Sequence, residues 1–398
     1  MKPEFDFSTG SSRVQRMAAS PIRAILDRAA ELRAEGRRVI PFSAGEPDFN
    51  TPEPIKQATI AAINNNYSHY GSNRGTPKLR EIIACKLRNE TGVSYAPESE
   101  IIVTSSGAEA INNALLAFIE DGDEVIVFTP AFVSYKNLIK YAGGVFIDIP
   151  LKPEDGFCPD ANALEQAITK RTKVIVINNP NNPTGAVYDR GTLEKLAALA
   201  IKHNLLVIAD EMYSRLVYDD AQFTSMAALP GMKERTVIIN GFSKTYAMTG
   251  WRLGFLAADK RLITPLLKMH QYSTTCSPTF IQQGLADSLE LVETTAAVEN
   301  MIKTFARRRT AILDGLSAIP KLGCVTPKGA FYVMVDVSAT GLNGMVFAKR
   351  LLEEYFVATV PAIGLGDSCG DYIRISYAAS DEDIAEGLQR ILQFTSLI

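Results

Sequence analysis

The stretch Gly241-Phe-Ser-Lys-Thr-Tyr-Ala-Met-Thr-Gly-Trp-Arg-Leu-Gly254 lies between two short apolar runs, 236–240 and 253–257, that read as β-strands. Lys244 and Arg252 are its only charged residues, set among small and uncharged neighbours. A lysine so placed loses hydration of its ammonium form, so its pKa falls and its amine becomes a usable nucleophile. An arginine close by offers a fixed fork of donors that suits a phosphate. Taken alone, the simplest reading of Lys244 is an ordinary loop lysine. Its meaning depends on what the rest of the chain brings to it.

Outward from this stretch, β-branched apolar runs recur at 101–104, 124–128, 145–149, 173–177 and 205–209. Helical patterns such as 109–119, 189–203 and 261–272 separate several of them. Continuous apolar runs are the mark of strands buried on both faces, and β/α alternation places helices over a parallel sheet. The expected fold is therefore α/β, with a seven-stranded, mostly parallel sheet over roughly residues 50–285. After it the rhythm changes. A long helix at 293–318 leads into short strands at 324–326, 331–335, 357–360 and 372–376, with helices at 344–354 and from Asp381. This mixture predicts a smaller α+β domain. The expected division is an N-terminal arm with part of the small domain (1–45), a large domain (46–289) and a C-terminal small domain (290–398). Residues 13–36 read as one helix and 39–42 as a short strand.

Composition narrows the function classes. With 46% hydrophobic and 21% charged residues among 398, the chain has ample material for a large core. A net charge of −3 gives no reason to expect nucleic acid or an anionic membrane as partner. The run Arg307-Arg308-Arg309, in a helical segment, reads as a solvated face. Polar residues interrupt every apolar run well short of ~18 residues, so no membrane span is expected. The first seven residues carry acids and no apolar leader. Five cysteines without a CxxC pair, and three histidines far apart, point to a reduced cytoplasmic compartment and no metal site.

Further candidates fall at predicted strand ends, where open α/β sheets bind ligands. After 101–104 come Ser105-Ser-Gly-Ala-Glu109 and a helix, whose small residues let backbone N–H groups approach a phosphate; a plain N-cap is the alternative. No GxGxxG follows an early strand, and Gly364-Leu-Gly366 lies too late to open a dinucleotide fold. Asn178-Asn-Pro-Asn-Asn-Pro-Thr-Gly185 guarantees turns and offers Asn182 as a donor to a ring oxygen. Asp210 ends the run 205–209, placed either to cap a helix or to pair with a pyridinium nitrogen. Tyr213 shares its face if that segment is helical. In Tyr372-Ile-Arg-Ile-Ser-Tyr377, alternation puts Tyr372, Arg374 and Ser376 on one face, from which Arg374 would grip a substrate carboxylate.

Together these pieces resemble the class I/II aminotransferases, the fold-type I pyridoxal phosphate (PLP) enzymes, and more narrowly their bacterial aspartate/aromatic branch. The likeness covers nearly the whole chain. Gly-Phe-Ser-Lys-x-x-Ala-Met-x-Gly-x-Arg-Leu-Gly, Asn-Pro-Asn-Asn-Pro-Thr-Gly, Ala-Asp-Glu-x-Tyr and Tyr-Ile-Arg-Ile-Ser-Tyr stand in the family's order with suitable spacing. The resemblance implies that Lys244 forms the internal Schiff base and then serves as general base. It implies that Asp210 pairs with the pyridine nitrogen, and that Asn182 and Tyr213 bond the phenolic oxygen. Gly107, Ala108, Ser243 and Arg252 would hold the phosphate, with Tyr70 reaching it from the neighbouring subunit of a homodimer. Phe132 would stack on the ring, while Gly45, Asn182 and Arg374 would hold the substrate carboxylate.

The implied activity is transfer of the amino group of an L-amino acid to a 2-oxo acid such as 2-oxoglutarate, by a ping-pong mechanism. The alternatives are a PLP-dependent lyase and a non-catalytic PLP-binding regulator, the latter needing a basic DNA-binding module for which the chain has no room. Two departures bear on substrate. Glu109 stands where the resemblance expects a lysine, and a carboxylate there would repel a dicarboxylic side chain. The loop Pro361-Ala-Ile-Gly-Leu-Gly366 also departs from the family's Pro-Gly pattern near the substrate.

Overall fold

In the computed structural model, which describes residues 8, 10–18 and 21–398, the β/α alternation folds into one seven-stranded sheet. Its strands are β1 (Ile101–Thr104), β2 (Glu124–Thr129), β3 (Val145–Pro150), β4 (Thr172–Asn178), β5 (Leu206–Asp210), β6 (Thr236–Gly241) and β7 (Gly254–Ala257). Every strand end lies within one residue of its expected position. The spatial order is β1-β7-β6-β5-β4-β2-β3, with β7 antiparallel to both neighbours and all other pairs parallel. Apolar side chains on both faces, such as Ile175 and Ile177 on one and Val174 and Val176 on the other, are buried under different helix layers. That two-sided burial is why these runs show no polar alternation.

A second, antiparallel sheet follows: β8 (Gly323–Cys324), β9 (Tyr332–Asp336), β10 (Val360–Pro361) and β11 (Tyr372–Ser376), in the order β10-β11-β9-β8. The helix Val292–Ser317 precedes it, and Gly344–Tyr355 and Asp381–Thr395 pack around it. This is the smaller α+β domain.

The glycines that bracket the opening stretch have a shared packing role. Gly241 and Gly254 are paired across β6 and β7. A Cβ on Gly254 would lie 2.8 Å from both Gly107 N and Ser106 C, and one on Gly241 would lie 2.9 Å from Gly254 Cα. Backbone therefore rests on backbone where the helix Gly107–Phe118 begins, a contact no larger residue permits.

Several local expectations are corrected. Residues 13–36 form two helices, Ser12–Gln15 and Pro21–Ala34, because Pro21 lacks the N–H needed inside a helix and serves as a first position instead. The 39–42 strand reduces to a single bridge, Ile40 to Val357, since Pro41 cannot donate to a longer ladder. In the 357–360 run, Val357 therefore bonds a different partner from Val360, which joins β11. Residues 212–215 are turns and no helix follows β5, so Asp210 caps none. The arginine run is not a solvated face. Arg308 and Arg309 are 7% and 6% exposed, Arg308 bridging Asp48 and Asp381 and Arg309 bonding Asp219 and Pro327 O. Only Arg307 faces water, paired with Asp381. The three cations anchor the long helix to both neighbours, a role that helical spacing conceals.

Among the described residues no helix is long and apolar enough to cross a membrane. All five cysteines are free. The expectation about a leader at residues 1–7 lies outside the described residues.

Candidate active site

The parallel strands all finish at one edge of the large sheet, and the chain delivers its chemistry there strand by strand. β1 leads into Ser106, Gly107 and Ala108; β2 leads to Phe132; Asn182 follows β4. Asp210 is the last residue of β5, with Tyr213 in the turn beyond it. β6 releases Ser243 and Lys244, and Arg252 stands just before β7, which starts at the same edge because it runs the other way. A cleft of about 320 Å³ gathers all of these together with Gly45 and with Arg374 from β11. The second sheet thus closes over the edge of the first.

Lys244 is enclosed on most sides, and its Nζ donates to Gly45 O at 2.5 Å. Burial lowers its pKa to about 8; Glu46 opposes the shift, Arg374 and Arg252 add to it, and Asp210 opposes it. An amine so poised has a substantial neutral fraction near physiological pH. Asp210 is pushed up by burial and pulled back by hydrogen bonds from Tyr135 Oη to Oδ2 (2.6 Å) and Met212 N to Oδ1 (3.2 Å), and by the Lys244 charge. Its two direct donors are neutral, so it is a buried carboxylate short of a bonded cation. A pyridinium N–H supplies that need.

Tyr213 Oη lies 3.5 Å from Asn182 Nδ2 and 3.0 Å from Tyr332 Oη. Burial, with Tyr332 beside it, raises Tyr213 well above the usual phenol range, so its hydroxyl stays protonated. Arg374 donates from Nη1 to Asn182 Oδ1 (3.1 Å) and from Nη2 to Ser43 O (3.2 Å), and its guanidinium lies 4.4 Å from the Tyr332 ring centroid. Its Nε is buried without a partner, and both of those acceptors are neutral. A buried guanidinium in this state suits a carboxylate ligand.

Opposite these groups, the helix Gly107–Phe118 presents its N-terminus, with Ser106 as N-cap accepting from Glu109 N. Ser106 is held at φ 111°, ψ 163°, a region nearly restricted to glycine, and Arg252 at φ 55°, ψ 52°. Arg252 is exposed and spends one donor on Thr249 O (2.9 Å), keeping the rest of its fork available. Helix N-terminus, Ser243 and Arg252 make an anion cradle. The nucleophilic amine, the carboxylate short of a cation, the phenol and amide, and this cradle together fit PLP. Arg374 is left over for a second carboxylate.

Two expected residues stand elsewhere. Tyr70 is 88% exposed and borders a separate cavity with Ser105 and Cys276. Glu109 faces away from the cleft. Its Oε1 accepts from His270 Nδ1 (2.7 Å) and Asn113 Nδ2 (2.9 Å), and its Oε2 from Ser105 N (2.5 Å). Burial opposes its ionisation, but these bonds outweigh it and its pKa lies below the usual carboxylate range. The expected repulsion of a dicarboxylic side chain by Glu109 is therefore withdrawn. Its carboxylate braces the strained turn, and Ala108, one residue earlier, faces the cleft. The 361–366 loop does reach the site, through Leu365, whose carbonyl accepts from Ala131 N.

Sequence reasoning missed Tyr135, Tyr332, Asn178 and the helix residues Ile22 and Leu26. Tyr135 follows Phe132 by three positions, and helical spacing was the available signal for it. Asn178 Oδ1 accepts from Asn182 N (2.7 Å) and its Nδ2 donates to Asp210 O (3.0 Å), tying β4 to β5. No local signal marked Ile22, Leu26 or Tyr332, which arrive from remote elements.

The family model described as aminotransferase class I and II matches residues 37–391. An aspartate aminotransferase of Pyrococcus abyssi is 41% identical over 96% of this chain and 97% of its own length. An aspartate/prephenate aminotransferase of Thermus thermophilus is likewise 41% identical, with the same coverage. An aromatic-amino-acid aminotransferase of Thermococcus litoralis is 38% identical over 96% of this chain and 97% of its own. Among solved structures, Thermus thermophilus aspartate aminotransferase with maleate superposes with a TM-score of 0.92 at 40% identity, covering 96% of this chain and 99% of that one.

Proposed function

This chain belongs to the class I and II aminotransferases, in their aspartate/aromatic branch, and is a PLP-dependent transaminase; from that premise we propose that it moves the amino group of an L-amino acid to 2-oxoglutarate by a ping-pong mechanism with Lys244 as the covalent anchor. The observation that carries this reading is Lys244 itself, lowered to about 8 by burial and set in one cleft with Asp210 and Arg374.

When bound, PLP supplies a carbonyl that accepts the amino group and a protonated ring that draws electrons from the substrate Cα. Asp210 keeps the ring nitrogen protonated, its carboxylate steadied by Tyr135 and Met212 N. Asn182 and Tyr213 would hold the ring through its oxygen, and Phe132 would stack on it. The Gly107 and Ala108 amides, Ser243 and Arg252 fix the phosphate end. Arg374 takes the substrate α-carboxylate in a two-pronged grip, positioned by Asn182 and by the Tyr332 ring and aided by Gly45. Lys244 Nζ would serve as the general base that moves a proton between the substrate Cα and the cofactor's C4′.

The assembly is a homodimer. The exposure of Tyr70, which borders a cavity with Ser105, supports a role for it in the partner's site. On this reading residues 1–45 are an N-terminal arm with part of the small domain, 46–289 the large domain and 290–398 the C-terminal small domain. The compartment is the cytoplasm, in keeping with five free thiols.

Borohydride reduction of the purified holoenzyme followed by peptide mapping tests the anchor, and the label belongs on Lys244. Amino acid supplied without acceptor should give a single conversion per site. Continuous release of ammonia or pyruvate would establish a lyase instead, and a purified chain without PLP absorbance and without label would defeat the whole reading.

A further inference from the structure

Glu109 does more than turn aside from the cleft. It is the third residue of the helix Gly107–Phe118, whose N-cap is Ser106. In the usual capping box the N-cap side chain accepts from the N–H of that third residue, whose own side chain reaches back to the N-cap N–H. Here Ser106 Oγ accepts from Glu109 N (3.4 Å), but Glu109 Oε2 reaches one residue further, to Ser105 N (2.5 Å). The displaced bond goes with a displaced backbone. Ser106 stands at φ 111°, ψ 163°, so the chain enters the helix through a conformation that a serine resists. A helix cannot satisfy its own first N–H groups. Those of Gly107 and Ala108 are left to the cleft, which both residues line.

The carboxylate is held from behind as well. Its Oε1 accepts from Nδ1 of His270 (2.7 Å), a fully buried residue of the helix Lys260–Ser273, and from Nδ2 of the equally buried Asn113 (2.9 Å). The Glu109 side chain is only 12% exposed, so its charge rests on these three donors, and neither Glu109 nor His270 lines the cleft. Resting on the reading of Gly107, Ala108, Ser243 and Arg252 as the phosphate cradle, we infer that Glu109 and His270 are positioning residues for the cofactor: they hold the Ser105-Ser106 turn in its strained form before PLP arrives, so that the two amides stand ready for the phosphate. Donors fixed in advance bind without the cost of ordering the turn. The pair therefore tightens the hold on PLP and leaves the chemical step alone.

The experiment starts from the holoenzyme. Glu109→Met keeps the side-chain length and removes both acceptor oxygens. We expect the Kd for PLP, read by equilibrium dialysis, to rise about tenfold or more, while kcat with saturating cofactor stays within about twofold. The phosphorus NMR signal of the bound cofactor should shift with it. His270→Asn retains a donor where Nδ1 stands and should hold PLP within about twofold of the native chain, whereas His270→Leu should weaken it about tenfold. Unchanged PLP affinity in Glu109→Met, even with a lower Tm, reduces Glu109 to a helix cap and overturns the inference. Equal weakening by His270→Asn and His270→Leu removes His270 from it. Should the variants not fold, amide exchange in the native chain decides. The Ser105 N–H should exchange slowly with PLP removed as well as with PLP bound, and fast exchange that slows only on adding PLP overturns the preformed turn. Arg252→Ala tests the cradle separately. If it leaves PLP affinity unchanged the cradle reading fails, and Ser105 exchange still decides whether Glu109 holds the turn.

Discussion

Lys244 reads as an unremarkable loop residue in the sequence and becomes reactive through its surroundings. Burial disfavours its ammonium form, and Arg374 and Arg252 act in the same direction, giving a pKa of about 8. Because the folded value lies below the unfolded one, the cofactor-free native state releases this proton first. Reductive labelling of Lys244 by a small aldehyde should therefore be half-maximal near pH 8, and a midpoint above 10 would show the amine to be hydrated. The same linkage makes this lysine's contribution to stability rise as pH climbs from about 8 towards the unfolded value. Asp210 is the complementary case. Asp210→Asn keeps the shape and the Tyr135 contact but removes the charge, so kcat/KM should drop about 10²–10³-fold with cofactor still bound. Circular dichroism and absorbance of the variant separate that outcome from unfolding. Arg374→Ala should lose roughly 100-fold in kcat/KM for amino acids, about 3 kcal/mol, since it removes two charge-assisted hydrogen bonds to the α-carboxylate.

At the scale of elements, the cradle depends on how closely the helix Gly107–Phe118 sits on β7. Gly254→Ala would drive a Cβ to 2.8 Å from two backbone atoms of that turn and to 3.1 Å from Asn240 O, none of which is the end of a flexible side chain. We expect about 1–3 kcal/mol of destabilisation and a weakened hold on PLP, read as a lower Tm and a smaller Tm gain on adding cofactor. Strand positions were legible because strands buried on both faces leave continuous apolar runs that end sharply. Helix faces were less so. Arg308 and Arg309 follow the pattern of a solvated stripe, and only segments remote in the sequence, with Asp48, Asp219 and Pro327 O, turn that stripe into an anchor. Proline explains two further departures, at Pro21 and Pro41, where an apolar pattern continued but the hydrogen bonds did not.

The whole molecule sets the reach of the site. Tyr70 stands outside its own cleft, so a shared dimeric site predicts complementation. Lys244→Ala and Tyr70→Phe chains, mixed and refolded together, should regain activity in the mixed dimers, each with one native site. No gain on mixing would place both residues' functions within one chain.

Taken alone, the sequence determined the sheet, the cofactor and most of the polar residues that the structure gathers in one cleft, because strand ends, turn-forming asparagines and an isolated lysine are local patterns. Tertiary structure alone decided which way Glu109 faces, and hence that it braces a turn instead of repelling a substrate. It also brought Ile22, Leu26, Tyr332 and Arg374 into the cleft from remote segments. Glu109 has local partners, Ser105 N and Asn113 at four positions either side, but the contact that draws it away from the cleft to His270 is long-range, and no local spacing encodes that one.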